Sequence, residues 1–148
     1  MNLNNVIRVV AEVKIAAGDR VRFESMVKDL RNVVEGEGPS KVLTYDCYCK
    51  NETSCEYLII EDYADEASFL GHLRLIAPVS ARHNVLMEVL KFYLCGSLSP
   101  DTLQMFENAY KEKFVNYESL QVFPIEPAAG LRVQQTLVDT KINPGLPR

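Results

Sequence analysis

His72 has the residue type and the surroundings of a proton carrier. It follows Phe69 by three residues and precedes Ile76 by four, which places it on the apolar side of a predicted helix. An imidazole in this position could take a proton from a phenolic substrate near neutral pH. The structural alternative is a partly buried histidine that bonds a carboxylate or a carbonyl, and the sequence leaves both open.

Glu61 is the second candidate, because it follows Ile59 and Ile60 in a strand whose composition indicates burial. A carboxylate in such a strand must be paired or hydrogen-bonded. It could orient His72, which would favour the imidazolium and tune its basicity. The alternative is a structural ion pair, for example with Arg8 or Lys14.

Aromatic residues near these two groups could form the walls of a pocket. Tyrosines supply flat walls and a hydroxyl for an aromatic ligand, although they are common in any sheet. We predict that the substrate contacts Tyr45, Tyr63, Phe69 and His83. His83 is included because it lies four residues after Val79 and leans inward, whereas Arg82 beside it is expected to face solvent.

Several other chemistries find no support in the sequence. The four cysteines are Cys47, Cys49, Cys55 and Cys95, and C-x-C on a strand fits zinc poorly. No nearby base marks any of them as a nucleophile, so we expect small core residues. The sequence has no glycine-rich phosphate loop, no G-x-S-x-G and no H-E-x-x-H. We therefore predict no metal site and no nucleotide or hydrolase function.

Composition and charge limit the partners and the cellular compartment that we expect for this chain. The net charge is −4 and no basic stripe is present, so a nucleic-acid partner is not expected. The apolar runs are far shorter than the ~20 residues of a membrane helix. The first five residues lack the basic region of a signal peptide. The expected location is the cytoplasm, with reduced cysteines.

The periodicity of the chain predicts a ferredoxin-like α+β fold. Alternating residues predict a strand at 6–15, and spacings of three and four predict a helix at 20–35, capped by Asp19. A hairpin follows, then a helix capped by Asp65 that restarts at Pro78. The predicted strands after the first are residues 42–50, 56–63 and 92–98. The order β-α-β-β-α-β gives a four-stranded antiparallel sheet with both helical segments on one face.

The other face of this sheet predicts association. Residues 57–60 and 92–95 are apolar on both sides of their strands, and the helices can cover only one side. An uncovered apolar face is an association surface, and a two-fold homodimer, or a higher homo-oligomer, would bury it. The alternative is that the C-terminal extension covers this face within one chain.

Residues 99–148 form this extension beyond a domain at 6–98. Ser99-Pro100-Asp101 predicts the start of a helix, and an apolar stripe continues it to about Tyr117. Residues 131–138 are expected to form a strand or an arm. The proline-rich end cannot continue regular structure and is a candidate for docking on a partner subunit.

Three segments between residues 45 and 73 carry a family resemblance. They are YDCY at 45–48, IEDYADEA at 60–67 and HL at 72–73. This pattern resembles the antibiotic-biosynthesis-monooxygenase family over residues 6–98. The resemblance implies a dimeric α+β barrel with a pocket between helices and sheet in each subunit. It also implies oxidation of quinols or aromatic polyketides by molecular oxygen without metal or flavin, although some members degrade haem and others isomerise small carbonyl compounds.

The haem-degrading branch fits poorly. Its members use an Asn, a Trp and a His, whereas this chain has no Trp and has Ala11-Glu12 in place of the Asn. We therefore predict a cofactor-independent monooxygenase of a small electron-rich aromatic, in which His72 deprotonates the substrate and Tyr45 and Glu61 place it. The alternatives are a non-oxidative isomerase or lyase that uses His72 as acid and base, and a non-enzymatic ligand-binding or assembly module.

Overall fold

Strand β1 (Ile7–Ile15) lies at the centre of the sheet, and its alternating sequence determines which face is buried. In the computed structural model, which describes residues 5–119, its odd-numbered side chains lie in the core. The even-numbered ones lie on the opposite face and are more exposed. The helices therefore pack on the face of the sheet that carries the odd-numbered side chains of β1, which is called the inner face.

The remaining elements follow in the predicted α-β-β-α-β order, and a helix and a strand of the extension come after them. They are α1 (Arg20–Glu37), β2 (Val42–Cys49), β3 (Glu56–Tyr63), α2 (Glu66–His83), β4 (Met87–Cys95), α3 (Pro100–Tyr110) and β5 (Phe114–Tyr117). The strand order is β2-β3-β1-β4-β5, with β1 antiparallel to both β3 and β4. The predicted ferredoxin-like α+β class is confirmed.

Within residues 5–119 the sheet has five strands rather than the expected four, and it is mixed. Strand β5 runs parallel to β4, with Phe114 opposite Phe92. The extension helix was expected to reach Tyr117 but ends at Tyr110, since Lys111 has a positive φ of 49°. Pairing with β4 thus outweighs the helical spacing that the sequence continues through Phe114.

Helix α2 is continuous, so the predicted restart at Pro78 is wrong. Pro78 lies inside the helix, where it removes one backbone donor. Ile76 and Val79 on either side pack against the core, and this packing holds both halves in line. Helix α1 also runs two residues past its predicted end, to Glu37.

Strand β4 begins earlier and ends earlier than predicted. Its first residues pair with the end of β1, where Met87 lies opposite Ile15. It ends at Cys95 because Gly96 has a φ of 131°. A Cβ at Gly96 would lie 2.7 Å from the backbone oxygen of Val6, so only glycine fits there.

Hydrogen bonds at its N-terminal end attach helix α3 to the rest of the fold. Ser99 is its N-cap and accepts a hydrogen bond from the Thr102 amide. The Glu66 carboxylate, at the start of α2, accepts hydrogen bonds from Ser99 and Thr102. The expected arm at 131–138 and the tail lie outside the described residues. None of the helices in residues 5–119 is long and apolar enough to cross a bilayer.

Candidate functional site

A cavity of about 160 Å³ lies between the inner face of the sheet and the helices. Its walls are mainly apolar, with Phe69 at a fully buried position and Met87 at a partly exposed one. The polar side chains that line it are Tyr45, Cys47, Glu61, Ser80 and Tyr110. An apolar cavity with a few convergent polar groups is the usual form of a small-molecule site.

The position of Glu61 in the sheet directs its side chain into this cavity. Glu61 on β3 lies opposite Val9 on β1 and opposite Tyr45 on β2, so all three share the inner face. It is 9% exposed, and its Oε2 accepts a hydrogen bond of 2.7 Å from the Tyr63 hydroxyl. Burial raises the pKa of Glu61, while the Tyr63 hydrogen bond and the nearby His72 oppose that rise.

His72 lies behind the cavity wall rather than in it. It is fully buried, and its Nδ1 lies 2.6 Å from Oε2 of Glu37, the last residue of α1. Its ring centroid is 5.2 Å from that of Tyr63 and 5.8 Å from that of Tyr45. Its Nε2 is buried and has no hydrogen-bond partner within residues 5–119.

The carboxylate that bonds His72 is therefore Glu37, and not Glu61, which the sequence offered as one possibility. Glu37 follows Leu30 by seven residues and Val34 by three, so it continues the apolar stripe of α1. That spacing is the signal that could have found it, because an acidic residue on a buried helix face needs a partner. Because the predicted helix ended at residue 35, Glu37 was not recognised as part of its buried face.

The two tyrosines predicted for the pocket, Tyr45 and Tyr63, have different positions. Tyr45 lines the cavity, and burial raises the pKa of its hydroxyl, which stays protonated as a donor. Tyr63 acts indirectly, through its hydrogen bond to Glu61, which lines the cavity. Tyr48 is 52% exposed, and Tyr57 packs on Phe23 with ring centroids 4.5 Å apart.

His83 lies outside the cavity. Its Nε2 is 2.8 Å from the Asp29 carboxylate, which also accepts a hydrogen bond of 2.9 Å from Arg82. This three-residue contact ties the end of α2 to α1. The hydrogen bond from His83, followed by that from Arg82, lowers the pKa of Asp29. Arg82 is largely exposed, as expected.

Comparison with known proteins finds solved structures that are similar to this one. No family model and no curated protein matches the chain. MupZ from Pseudomonas fluorescens is similar in structure, with a TM-score of 0.64 at 17% identity over 84% of this chain and 98% of its own. SnoaB, a cofactor-independent oxygenase from Streptomyces nogalater, has a TM-score of 0.50 at 13% identity over 64% of this chain and 95% of its own.

A Bacteroides thetaiotaomicron protein, named provisionally as an antibiotic biosynthesis monooxygenase, matches at 19% identity over 65% of this chain and 90% of its own, with a TM-score of 0.49. The chain shares the fold of MupZ and of SnoaB. The resemblance predicted from residues 45–73 is thus confirmed for the fold. At these identities the likeness concerns the fold alone, so the chemistry depends on the site.

Among residues 5–119, no three His, Cys, Asp or Glu side chains cluster where they could hold a metal ion. The four cysteines are free. Cys47 lines the cavity, and burial raises the pKa of its thiol to about 11. A thiol in that state is a poor nucleophile at neutral pH, so Cys47 serves as a wall.

Removing the Tyr63 hydroxyl is expected to raise the pKa of Glu61 further. The Tyr63 hydrogen bond stabilises the charged carboxylate, so Tyr63→Phe withdraws a contribution that lowers this pKa. Carbon-detected NMR titration of the glutamate carboxyl groups measures the shift. Tyr48→Phe, on the exposed side of the sheet, is the matched control and should leave the Glu61 titration in place. An unchanged Glu61 midpoint in Tyr63→Phe would show that the hydrogen bond does not act on it.

Proposed function

We propose that this protein is a cofactor-independent monooxygenase of a single-ring, electron-rich phenol such as a hydroquinone. The observation that carries the proposal is the Glu61 carboxyl group in the wall of an otherwise apolar cavity beside the Tyr45 ring. The cavity volume is about 160 Å³. An apolar cavity of about 150 Å³ is known to hold benzene, so the space matches one aromatic ring rather than a polyketide of several rings.

Glu61 is better placed than His72 to take the phenolic proton. It lines the cavity, whereas His72 does not and is bonded to Glu37. A base is effective when its pKa lies near the working pH, and burial moves the pKa of Glu61 in that direction. His72 becomes a positioning residue, since its ring packs against those of Tyr63 and Tyr45 behind the cavity wall.

The reaction needs only the substrate and oxygen. Glu61 removes a phenolic proton, and the resulting anion gives one electron to O2. Superoxide and the substrate radical join through a new ring C–O bond, and Glu61 returns the proton to the peroxide. The O–O bond then breaks with loss of water, so hydroquinone and O2 yield hydroxyquinone and one water. The apolar walls exclude bulk water from the anion and the radical pair.

Oxygen uptake by chelator-treated protein tests this proposal. We expect hydroquinones with one ring to be consumed well above the autoxidation blank, and anthrone-like phenols with three rings to give only the blank rate. Conversion of substrate in the absence of oxygen would instead indicate an isomerase or lyase. No uptake and no binding of any phenol would overturn the proposal and favour a non-enzymatic module.

We also propose a homodimer that packs sheet on sheet. Val10 lies opposite Ile60 on β3 and opposite Tyr93 on β4, and Tyr93 lies opposite Val115 on β5. These four side chains form an apolar band across the outer face, the face away from the helices. Burial of such a band against a second copy removes apolar area from water at about 25 cal/mol per Å².

Ile60→Arg is expected to convert the dimer to a monomer, because it places a charge at the β3 end of the outer-face band, beside Val10. Sedimentation velocity measures the change. Leu75→Arg is the matched control, since Leu75 is 50% exposed on α2, on the helix side of the molecule. A wild-type protein that sediments as a monomer, or an unaltered assembly in Ile60→Arg, would contradict the proposed interface.

A further inference from the structure

Tyr110, the last residue of α3, lines the candidate cavity from outside the βαββαβ unit. Its ring lies face to face with Phe92, with centroids 4.6 Å apart and an interplanar angle of 10°. Phe92 belongs to β4, on the inner face of the sheet. The phenol ring of Tyr110 therefore occupies space that a larger ligand would otherwise fill.

The position of Tyr110 is fixed by the packing of α3. Phe106, one turn earlier, is buried between Phe69 and Phe92, with ring centroids 5.5 and 5.3 Å away. The hydrogen bonds of Ser99 and Thr102 to Glu66 hold the other end of the helix. These contacts anchor α3 at its start and in its last turn, so the Tyr110 ring is held in a fixed position. A rigid ring in a cavity wall can exclude ligands by size.

The two structural matches cover different shares of this chain. SnoaB matches 64% of this chain with 95% of its own length. MupZ matches 84% of this chain, and its likeness must continue past Cys95.

We propose that Tyr110 is a specificity-determining residue, whose ring limits the ligand of this cavity to a single aromatic ring. The inference depends on the proposed function only in taking this cavity as the substrate site. Removing the Tyr110 ring opens space for roughly one further ring. A one-ring change in a packed pocket alters relative affinity by at least about tenfold, since even one methylene accounts for 10–200-fold.

Anaerobic calorimetric titration with hydroquinone and with naphthohydroquinone tests this without turnover. Wild type should bind hydroquinone at least about tenfold more tightly than naphthohydroquinone. Tyr110→Ala should abolish or reverse that preference, and Tyr110→Phe, which keeps the ring, should retain it. Tyr110→Leu keeps an apolar contact with Phe92 and serves if the alanine variant fails to fold. Met105→Ala, on the same helix with Met105 47% exposed, is the control and should bind as wild type.

The outcomes separate this inference from the proposed function. If hydroquinone binds but Tyr110→Ala and Tyr110→Leu keep the wild-type preference, the role of Tyr110 is overturned and the substrate site remains. If Tyr110→Phe loses the preference as fully as Tyr110→Ala, the hydroxyl acts rather than the ring, and the size argument is wrong. If wild type binds neither compound, both the site and the inference are overturned.

Discussion

Glu61→Gln is expected to lower kcat for hydroquinone oxidation by about 10²–10⁴-fold, the usual contribution of a general base. Glutamine keeps the shape of the side chain and an oxygen that can accept the Tyr63 hydrogen bond, so the fold should persist. It cannot accept the phenolic proton. Initial rates of oxygen uptake at saturating hydroquinone measure the effect.

The matched control for this variant is the neighbouring carboxylate. Asp62→Asn makes the same chemical change one residue later, where the side chain lies on the outer face and bonds Arg8 at 2.7 Å. It should keep kcat near the wild-type value. A Glu61→Gln variant that also keeps its kcat would show that another group, or the solvent, takes the proton.

The raised pKa of Glu61 also predicts the direction of two pH dependences. The rate should rise with pH as the carboxyl group loses its proton, with a midpoint above the usual glutamate range. Stability should change in the opposite sense. A carboxyl group whose folded pKa is raised contributes stability below its unfolded pKa, and that contribution is lost as the pH rises through the folded pKa. Urea unfolding of wild type and Glu61→Gln should therefore differ in pH dependence across that window.

His72→Ala is expected to lower the free energy of unfolding by about 3–5 kcal/mol. The imidazole is fully buried, and the Glu37 side chain that it bonds is 5% exposed. Removing His72 leaves that carboxylate buried without a partner, which is the costly way to break a buried pair. Urea unfolding followed by circular dichroism measures the loss.

A second histidine–carboxylate pair on the same helix provides the control. His83 bonds Asp29, whose side chain is 39% exposed and also accepts a hydrogen bond from Arg82, so His83→Ala leaves no buried unpaired carboxylate and should cost clearly less than His72→Ala. Adding Glu37→Gln to His72→Ala should recover part of the loss, because it removes the unpaired charge. A loss of less than about 1 kcal/mol in His72→Ala would contradict a buried, interacting pair.

Strand alternation made most of this fold predictable from the sequence. The period of two in β1 and the turn between β2 and β3 fix the register, and the register brings Glu61 and Tyr45 to the same face. Short-range periodicity could not predict β5, because the apolar spacing of α3 continues through Phe114. Only pairing with β4, a contact distant in sequence, decides that Phe114 lies in a strand.

The candidate site was predictable in part for the same reason. Glu61, Tyr45 and Phe69 line the cavity because strand and helix periodicity direct them inward. His83 also faces inward by helical spacing, but it meets Asp29 of α1 before it reaches the cavity. Helix periodicity predicts the side to which a side chain points but not how far it lies from the cavity. It therefore could not predict the different surroundings of His72 and His83. Tyr110 was missed because its contribution depends on how α3 packs.

The most direct test is the stoichiometry of oxygen in a single closed reaction. Chelator-treated protein, limiting hydroquinone and excess O2 should consume one O2 per hydroquinone and yield hydroxyquinone. Addition of catalase at the end should return no oxygen, because the second oxygen atom has become water. Recovery of half of the oxygen on adding catalase, with plain benzoquinone as product, would mean peroxide-forming oxidation. That result would contradict a monooxygenase.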